Sequence, residues 1–231
     1  MNAILGTMSN DVNPPADDNP SPTKRRYDAS RRRRAAAETR RAILVGARRQ
    51  FLAQGYAATT MPSIAEASGV ALDTVYAAVG PKPVLFRELI ESAISGTDEP
   101  VPAEERDYVR AILAEPDPHR KIAYYSAAVR AIQPRLAPLF RVLGEAARAE
   151  PELAALWTEI AERRAANMRR FVGDVAAVGG LREGVSVEEA ADLVWATNAP
   201  EFYLLLVEER GWPPERFEHW LAELWIRMLL P

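Results

Sequence analysis

Residues 59–86 read TTMPSIAEASGVALDTVYAAVGPKPVLF, and the order of chemical types in this stretch decides the fold. Thr59 and Thr60 are helix N-cap residues placed ahead of the apolar pair Ile64 and Ala65, and Pro62 falls in the first turn, where its missing N–H does no harm. A helix is therefore expected over about 61–68. Gly69 supplies the positive φ that a sharp turn between helices needs, with Val70 as the buried residue of that turn. A second helix is expected over about 72–79, with Val75 and Val79 four apart on one face. Helix, glycine turn, helix is the helix-turn-helix pattern, whose second helix enters the DNA major groove.

Upstream, a first helix is expected from about Ala35 to Gln54, with Ile43, Ala47 and Phe51 in one stripe, Leu44 beside it and Gly55 ending it. Residues 1 to about 22 are rich in Asn, Asp, Ser and Pro and bury too little apolar surface to offset chain entropy. They are expected to be disordered, and with the basic run that follows they form a tail over 1–34. Arg31, Arg32, Arg33 and Arg34 are either a solvated face or an arm that neutralises phosphates and reaches the minor groove. Downstream, Pro83 opens a fourth helix to about Ser95 that links two domains, 35–80 and 81–231. The remainder keeps helical periodicity, with helices expected at about 103–114, 118–132, 135–149 and 152–177. Pro134 and Pro151 act as punctuation, Ser186 with Glu189 makes a capping box, Pro200 interrupts the next helix, and the last helix spans about 214–230.

Composition narrows the function classes. Among 231 residues there is no Cys and there are two His, which excludes disulfides and thiolate chemistry and leaves little for a metal centre or a histidine base. No long apolar run and no apolar leader are present, so a cytoplasmic protein is expected. The net charge of −3 hides an asymmetry. Residues 1–90 hold 13 Lys and Arg against 8 Asp and Glu, whereas residues 91–231 hold 16 against 24. The basic half is the helix-turn-helix half, as expected for a phosphate-facing module on an acidic body.

The set Thr59-Thr60, Ile64-Ala65, Ser68-Gly69-Val70, Thr74-Val75-Tyr76, Lys82 and Leu85-Phe86 resembles the N-terminal pattern of the TetR family of one-component transcriptional regulators. The resemblance covers about fifty residues, from Thr39 to Ala93. Two positions depart from it: Val79-Gly80 replaces the usual aromatic pair, and Ala71 replaces the usual serine at the head of the recognition helix. The resemblance implies an all-α protein, with a three-helix DNA-binding domain joined to a helical ligand-binding and dimerisation domain. It implies no catalytic residues and no cofactor.

Site residues follow from geometry and from the resemblance together. Thr59 and Thr60 offer hydroxyls and free amides to a phosphate at a helix N-terminus. Lys82 forms a second phosphate clamp by resemblance, and the Tyr76 hydroxyl is a further phosphate donor. By resemblance Ala71, Leu72, Asp73, Thr74 and Ala77 occupy the base-facing positions, and none is a strong bidentate reader of a base. Direct readout is therefore expected to be sparse, with the arginine arm or DNA shape contributing to discrimination. In the body, the resemblance implies a pocket for a small apolar or aromatic effector among Tyr124, Phe140, Trp157 and Met168 and, nearer the C-terminus, Trp195 and Phe202. Asn167 and Asn198 would orient the effector there. The last two helical stretches are apolar nearly all round, and by resemblance Val194, Leu205, Trp220 and Leu224 belong to a homodimer interface. Two other readings fit the residues: a helical ligand-binding or small catalytic protein whose helix-turn-helix is only structural, and an architectural protein that binds DNA without sequence preference.

Overall fold

The computed structural model describes residues 22–97 and 101–231, all of whose regular elements are helical. In chain order these are α1 (Pro22–Ala58), α2 (Met61–Ser68), α3 (Leu72–Val79), α4 (Lys82–Ser95), α5 (Asp107–Ala114), α6 (Pro118–Ala146), α7 (Pro151–Ala177), α8 (Val187–Thr197), α9 (Pro200–Tyr203) and α10 (Pro214–Leu229). A 3-10 turn covers Ala103–Glu105, and a π-helical turn, Leu204–Glu209, continues α9. The chain divides between Glu38 and Thr39 into two units.

Three expectations are corrected by these bounds. Helical structure starts at Pro22, so the tail expected to reach residue 34 is helical from there on, while the part before Pro22 lies outside the described residues. The expected helix 103–114 is a 3-10 turn followed by α5. Pro134 does not separate two helices: α6 runs through both Pro134 and Pro138. A proline inside a helix deletes a hydrogen bond and crowds the preceding turn. Here packing outweighs that cost, because Leu136, Ala137, Leu139, Phe140, Val142 and Leu143 are all buried. Arg135 also reaches back to the Ala131 carbonyl at 2.8 Å.

Within the second unit, one core begins with Ile43, Ala47 and Phe51 of α1, closes on Ile64, Val75, Leu85 and Phe86, and continues into Leu136–Leu143 of α6 and Leu153–Ile160 of α7. The boundary expected between residues 80 and 81 therefore does not separate two cores. Gly46 permits the close crossing of α1 and α2: a Cβ there would lie 2.3 Å from the Ser68 hydroxyl and 3.3 Å from the Ala67 carbonyl carbon. A second core, centred on Trp225, Phe217, Leu221 and Val194, joins α10 and α8 to α6 and α7. The Ser186–Glu189 capping box opens α8 as expected, and the chain breaks at Pro200.

Candidate nucleic-acid interface and internal cavity

Thr60 caps α2: its hydroxyl accepts from the Ser63 amide at 3.2 Å, and the Ser63 hydroxyl accepts from the Thr60 amide. Gly69 ends α2 at φ 68°, in the left-handed region the turn requires. These two devices set α3 across α2. On α3, Val75 and Val79 are buried, while Ala71, Leu72, Asp73, Thr74, Tyr76 and Ala77 are exposed. Leu72 is thus a surface residue on the side opposite the core.

Thr59 is corrected. It is fully buried, and its hydroxyl donates to the Gly55 carbonyl at 2.7 Å. Gly55 has φ 76° and ψ 176°, which breaks α1 and leaves that carbonyl for Thr59. Only Thr60 of the pair faces outward. Lys82 is also recast: its ammonium donates to the Tyr56 carbonyl at 2.7 Å and the Thr59 carbonyl at 2.8 Å, and sits 4.1 Å from the Tyr56 ring centroid. Two of three N–H donors are thereby committed to the end of α1 and the residue that follows it. Burial lowers the Lys82 pKa and raises that of the Tyr56 hydroxyl to about 12. Beneath it, Phe51, Tyr56 and Phe86 pack edge-on and stacked with centroids 4.9–5.6 Å apart.

Lys82→Met should therefore lower stability by about 1–3 kcal/mol, the range for charge-assisted bonds whose acceptors are left behind. Urea unfolding of both proteins measures this. Unchanged stability with weaker DNA binding would return Lys82 to a pure phosphate contact.

Several basic residues near this face are structural. Arg40 donates to the Ala78 carbonyl at 2.8 Å and pairs with Glu88 at 2.7 Å, closing the end of α3 onto α4. Arg49 donates to the Ala67 carbonyl at the end of α2. In the first unit, Arg31, Arg32, Arg33 and Arg34 are all exposed on α1.

The body holds a partly open cavity of about 640 Å³ lined by α4, α5, α6 and α7, by the segment 101–106 and by Asn198 and Pro200. Asn167, Met168 and Asn198 line it as expected. The other five expected residues do not. Tyr124 is exposed and accepts a hydrogen bond from Arg120. Phe140 and Trp157 pack on each other, 4.9 Å between centroids, in the first core. Trp195 lies behind the wall, its indole N–H on the Ala161 carbonyl, and Phe202 stacks on Trp220. Bulk drove those five choices, and bulky aromatics fill cores.

What the size criterion missed are Tyr125, Gln133 and Arg164, polar residues on inward stripes. Tyr125, Val129 and Gln133 recur every four residues on α6, and Arg164, Asn167, Met168 and Phe171 recur at three and four on α7; all line the cavity. Asn198 organises them. Its amide nitrogen donates to the Tyr125 hydroxyl at 2.7 Å, its side-chain oxygen accepts from Arg164 at 2.6 Å, and its backbone carbonyl accepts from Gln133 at 2.9 Å. Burial pushes the Tyr125 pKa far up, so this hydroxyl is neutral. Arg164 stays charged although burial lowers its pKa.

From the cavity, α4 leads back to the helix-turn-helix. Glu91 and Ile94 of α4 are wall residues. Arg163 of α7 holds Glu91 at 2.5 Å, and Arg87 forms a bidentate pair with Glu159 at 2.6 and 2.7 Å. That pair raises the Arg87 pKa and lowers that of Glu159. The head of the same helix is Lys82.

Among the expected interface residues, Val194 is corrected: it is fully buried in the chain's own second core. Leu205 is 50% exposed, and Trp220 and Leu224 are partly exposed. No helix among the described residues is long and apolar enough to cross a membrane.

Residues 43–89 match the family model described as bacterial regulatory proteins, tetR family. No curated protein sequence matches the chain. Among solved structures, NalD of Pseudomonas aeruginosa, the secondary repressor of the MexAB-OprM multidrug efflux pump, is similar with a TM-score of 0.66 at 22% identity, over 84% of this chain and 98% of that one. The fatty acid degradation regulator FadR of Bacillus halodurans gives 0.62 at 15% identity, over 81% and 94%. SmeT, solved as a complex with triclosan, gives 0.58 at 18% identity, over 84% and 92%. The turn at Gly69, the uncovered face of α3 and the helical body behind them thus belong together: residues 43–89 match the tetR-family N-terminal domain, and the chain shares the all-helical fold of TetR-family regulators of known structure.

Proposed function

We propose that this protein is a homodimeric repressor that binds an operator through α3 and is released from it when a small apolar effector enters the cavity. The observation that carries this reading is the placement of α4. Its head holds the end of α1 through Lys82, and its tail contributes Glu91 and Ile94 to the cavity wall. A ligand that moves α4 therefore acts on the helix-turn-helix through a packed, hydrogen-bonded element, which is what coupling between two sites requires. The cavity volume is in the range that small-molecule sites occupy.

At the operator, Leu72, Asp73 and Thr74 face bases, while Thr60, Tyr76, the remaining Lys82 donor and Arg31–Arg34 contact phosphates. None of the exposed α3 residues is basic, so affinity must come largely from the flanking cations. Each subunit reads one half-site, and the two half-sites are related by the dimer axis. Selecting bound duplexes from random DNA should return a two-fold symmetric site. An unpatterned pool would favour the architectural reading.

Dimerisation is supported by the apolar residues that the chain leaves partly uncovered, Leu205 beyond α9 and Trp220 and Leu224 on α10. Leu205→Glu combined with Leu224→Glu should give a folded monomer at micromolar concentration in sedimentation, because charges are costly in an apolar interface. Val194→Glu should unfold the chain instead. A double variant that still sediments as a dimer would place the interface elsewhere. A dimeric DNA-binding regulator of this kind works in the cytoplasm.

A further inference from the structure

We propose that the cavity takes an organic anion, a small molecule with an apolar body and a carboxylate that pairs with Arg164, and with a hydroxyl or N–H group near that carboxylate for Gln133. The inference rests on reading the cavity as the effector site, and it specifies the class of effector.

Arg164 carries the argument. Its Nη2 donates to the Asn198 side-chain oxygen at 2.6 Å and to the Trp195 carbonyl at 2.9 Å, both neutral acceptors. Those are its hydrogen bonds among the described residues, so Nη1 and Nε keep their donors open. The guanidinium carbon lies 5.3 Å from the Trp195 ring centroid, within reach of a cation–π contact. No carboxylate stands within ion-pair distance of it among the described residues; Glu201, whose field reaches it, is exposed. Of the other charges on the wall, Arg163 pairs with Glu91 at 2.5 Å and Asp174 with Lys121 at 2.5 Å, while Arg106, nearer the surface, donates to the Val101 carbonyl. Arg164 is thus a largely buried cation held in position by neutral groups and lacking an anion, and a desolvated cation of that kind favours an anionic guest over a neutral or cationic one.

Gln133 adds a second constraint. It is 3% exposed, and its Nε2 donates to the Asn198 carbonyl, which fixes the orientation of the amide. Its Oε1 is buried without any hydrogen-bond partner. A carboxylate cannot satisfy an acceptor, so the donor must be a second group on the guest. Arg164 and Gln133 both rest on Asn198, so that donor belongs within a few atoms of the carboxylate. The rest of the wall, including Ile94, Val129, Ile132, Leu136 and Ile160, is apolar and suits a hydrocarbon or aromatic body.

Four probes test this by calorimetry on the full chain: decanoate, 3-hydroxydecanoate, 1-decanol and decylamine. Decanoate should bind about tenfold or more tighter than the alcohol and the amine, the value of one modest buried charge pair. The 3-hydroxy acid should bind tighter again, and Gln133→Leu should erase that gain alone. Arg164→Gln should bring acid and alcohol to within about threefold, while Arg164→Lys, which preserves the charge, retains part of the preference. Thermal unfolding of each variant verifies that it is folded, and the lysine and leucine variants carry the test if the glutamine variant is not. Equal binding of acid and alcohol by the wild type, an acid preference that survives Arg164→Gln, or no binding by any probe would overturn the proposal. The same probes are then added to the protein on its selected DNA. Selective binding of acids without release of DNA upholds the ligand class and removes the inducer role.

Discussion

Lys121→Met should lower the free energy of unfolding by about 3–5 kcal/mol, the usual cost of removing one partner of a buried ion pair. Lys121 is 1% exposed and reaches across from α6 to Asp174 of α7 at 2.5 Å and to the Ile112 carbonyl of α5 at 2.7 Å. It is the point at which three helices around the cavity are fastened. Methionine fills nearly the same volume, so the loss is electrostatic rather than steric. It leaves a carboxylate and a carbonyl without their donor. The Asp174 side chain is 24% exposed, so water reaches it and the lower end of the range is expected. Replacing both, Lys121→Met with Asp174→Leu, should recover most of the loss, because an apolar pair avoids the desolvation of two charges. Urea unfolding at one fixed protein concentration measures all three proteins, since dimerisation would otherwise shift the midpoint. A single variant within about 1 kcal/mol of wild type would mean that the pair is dispensable.

The second large effect concerns DNA. Replacing Arg31, Arg32, Arg33 and Arg34 together by Ala should reduce the dependence of log affinity on log salt by up to about 3.6, from about 0.9 for each phosphate neutralised. Between 50 and 200 mM salt the wild type should then lose up to about 150-fold more affinity than the variant. These exposed residues sit on α1, and alanine, the best helix former, keeps the helix propensity there high. If the arm reads a narrow minor groove, the variant also loses part of its preference for operator over scrambled DNA. If it touches only phosphates, both affinities fall together. Identical salt slopes for the two proteins would make the run a solvated face.

The helix-turn-helix was legible because its determinants are local. Thr60, Gly69 and the Ile43–Ala47–Phe51 stripe act within a few residues of themselves, and each takes the predicted conformation. Failures came where a distant partner decides. Thr59 and Thr60 are chemically alike, and only the break at Gly55, four residues earlier, turns the first of them inward. Lys82 binds carbonyls 23 and 26 residues away, which its own neighbours do not reveal. Pro134 reads as a helix break, yet the buried side chains that follow it hold α6 together. Size was a poor guide to the cavity, since Phe140 and Trp157 fill the core, whereas Gln133 and Arg164 mark the wall by being polar on an inward stripe. Val194 shows the same ambiguity for the interface: an apolar helix face is equally well covered by the chain's own α10.

The proposed function requires that α3 distinguish one DNA sequence from others. Fluorescence anisotropy of the selected duplex and a scrambled duplex at about 150 mM salt, with wild type and Thr74→Glu, tests it most directly. Wild type should bind the selected duplex about a thousandfold or more tighter than the scrambled one, the lower bound for a specific binder. Thr74→Glu, which adds a negative charge to the exposed face of α3, should abolish that difference while the protein stays folded. Equal affinities of wild type for both duplexes would contradict the account.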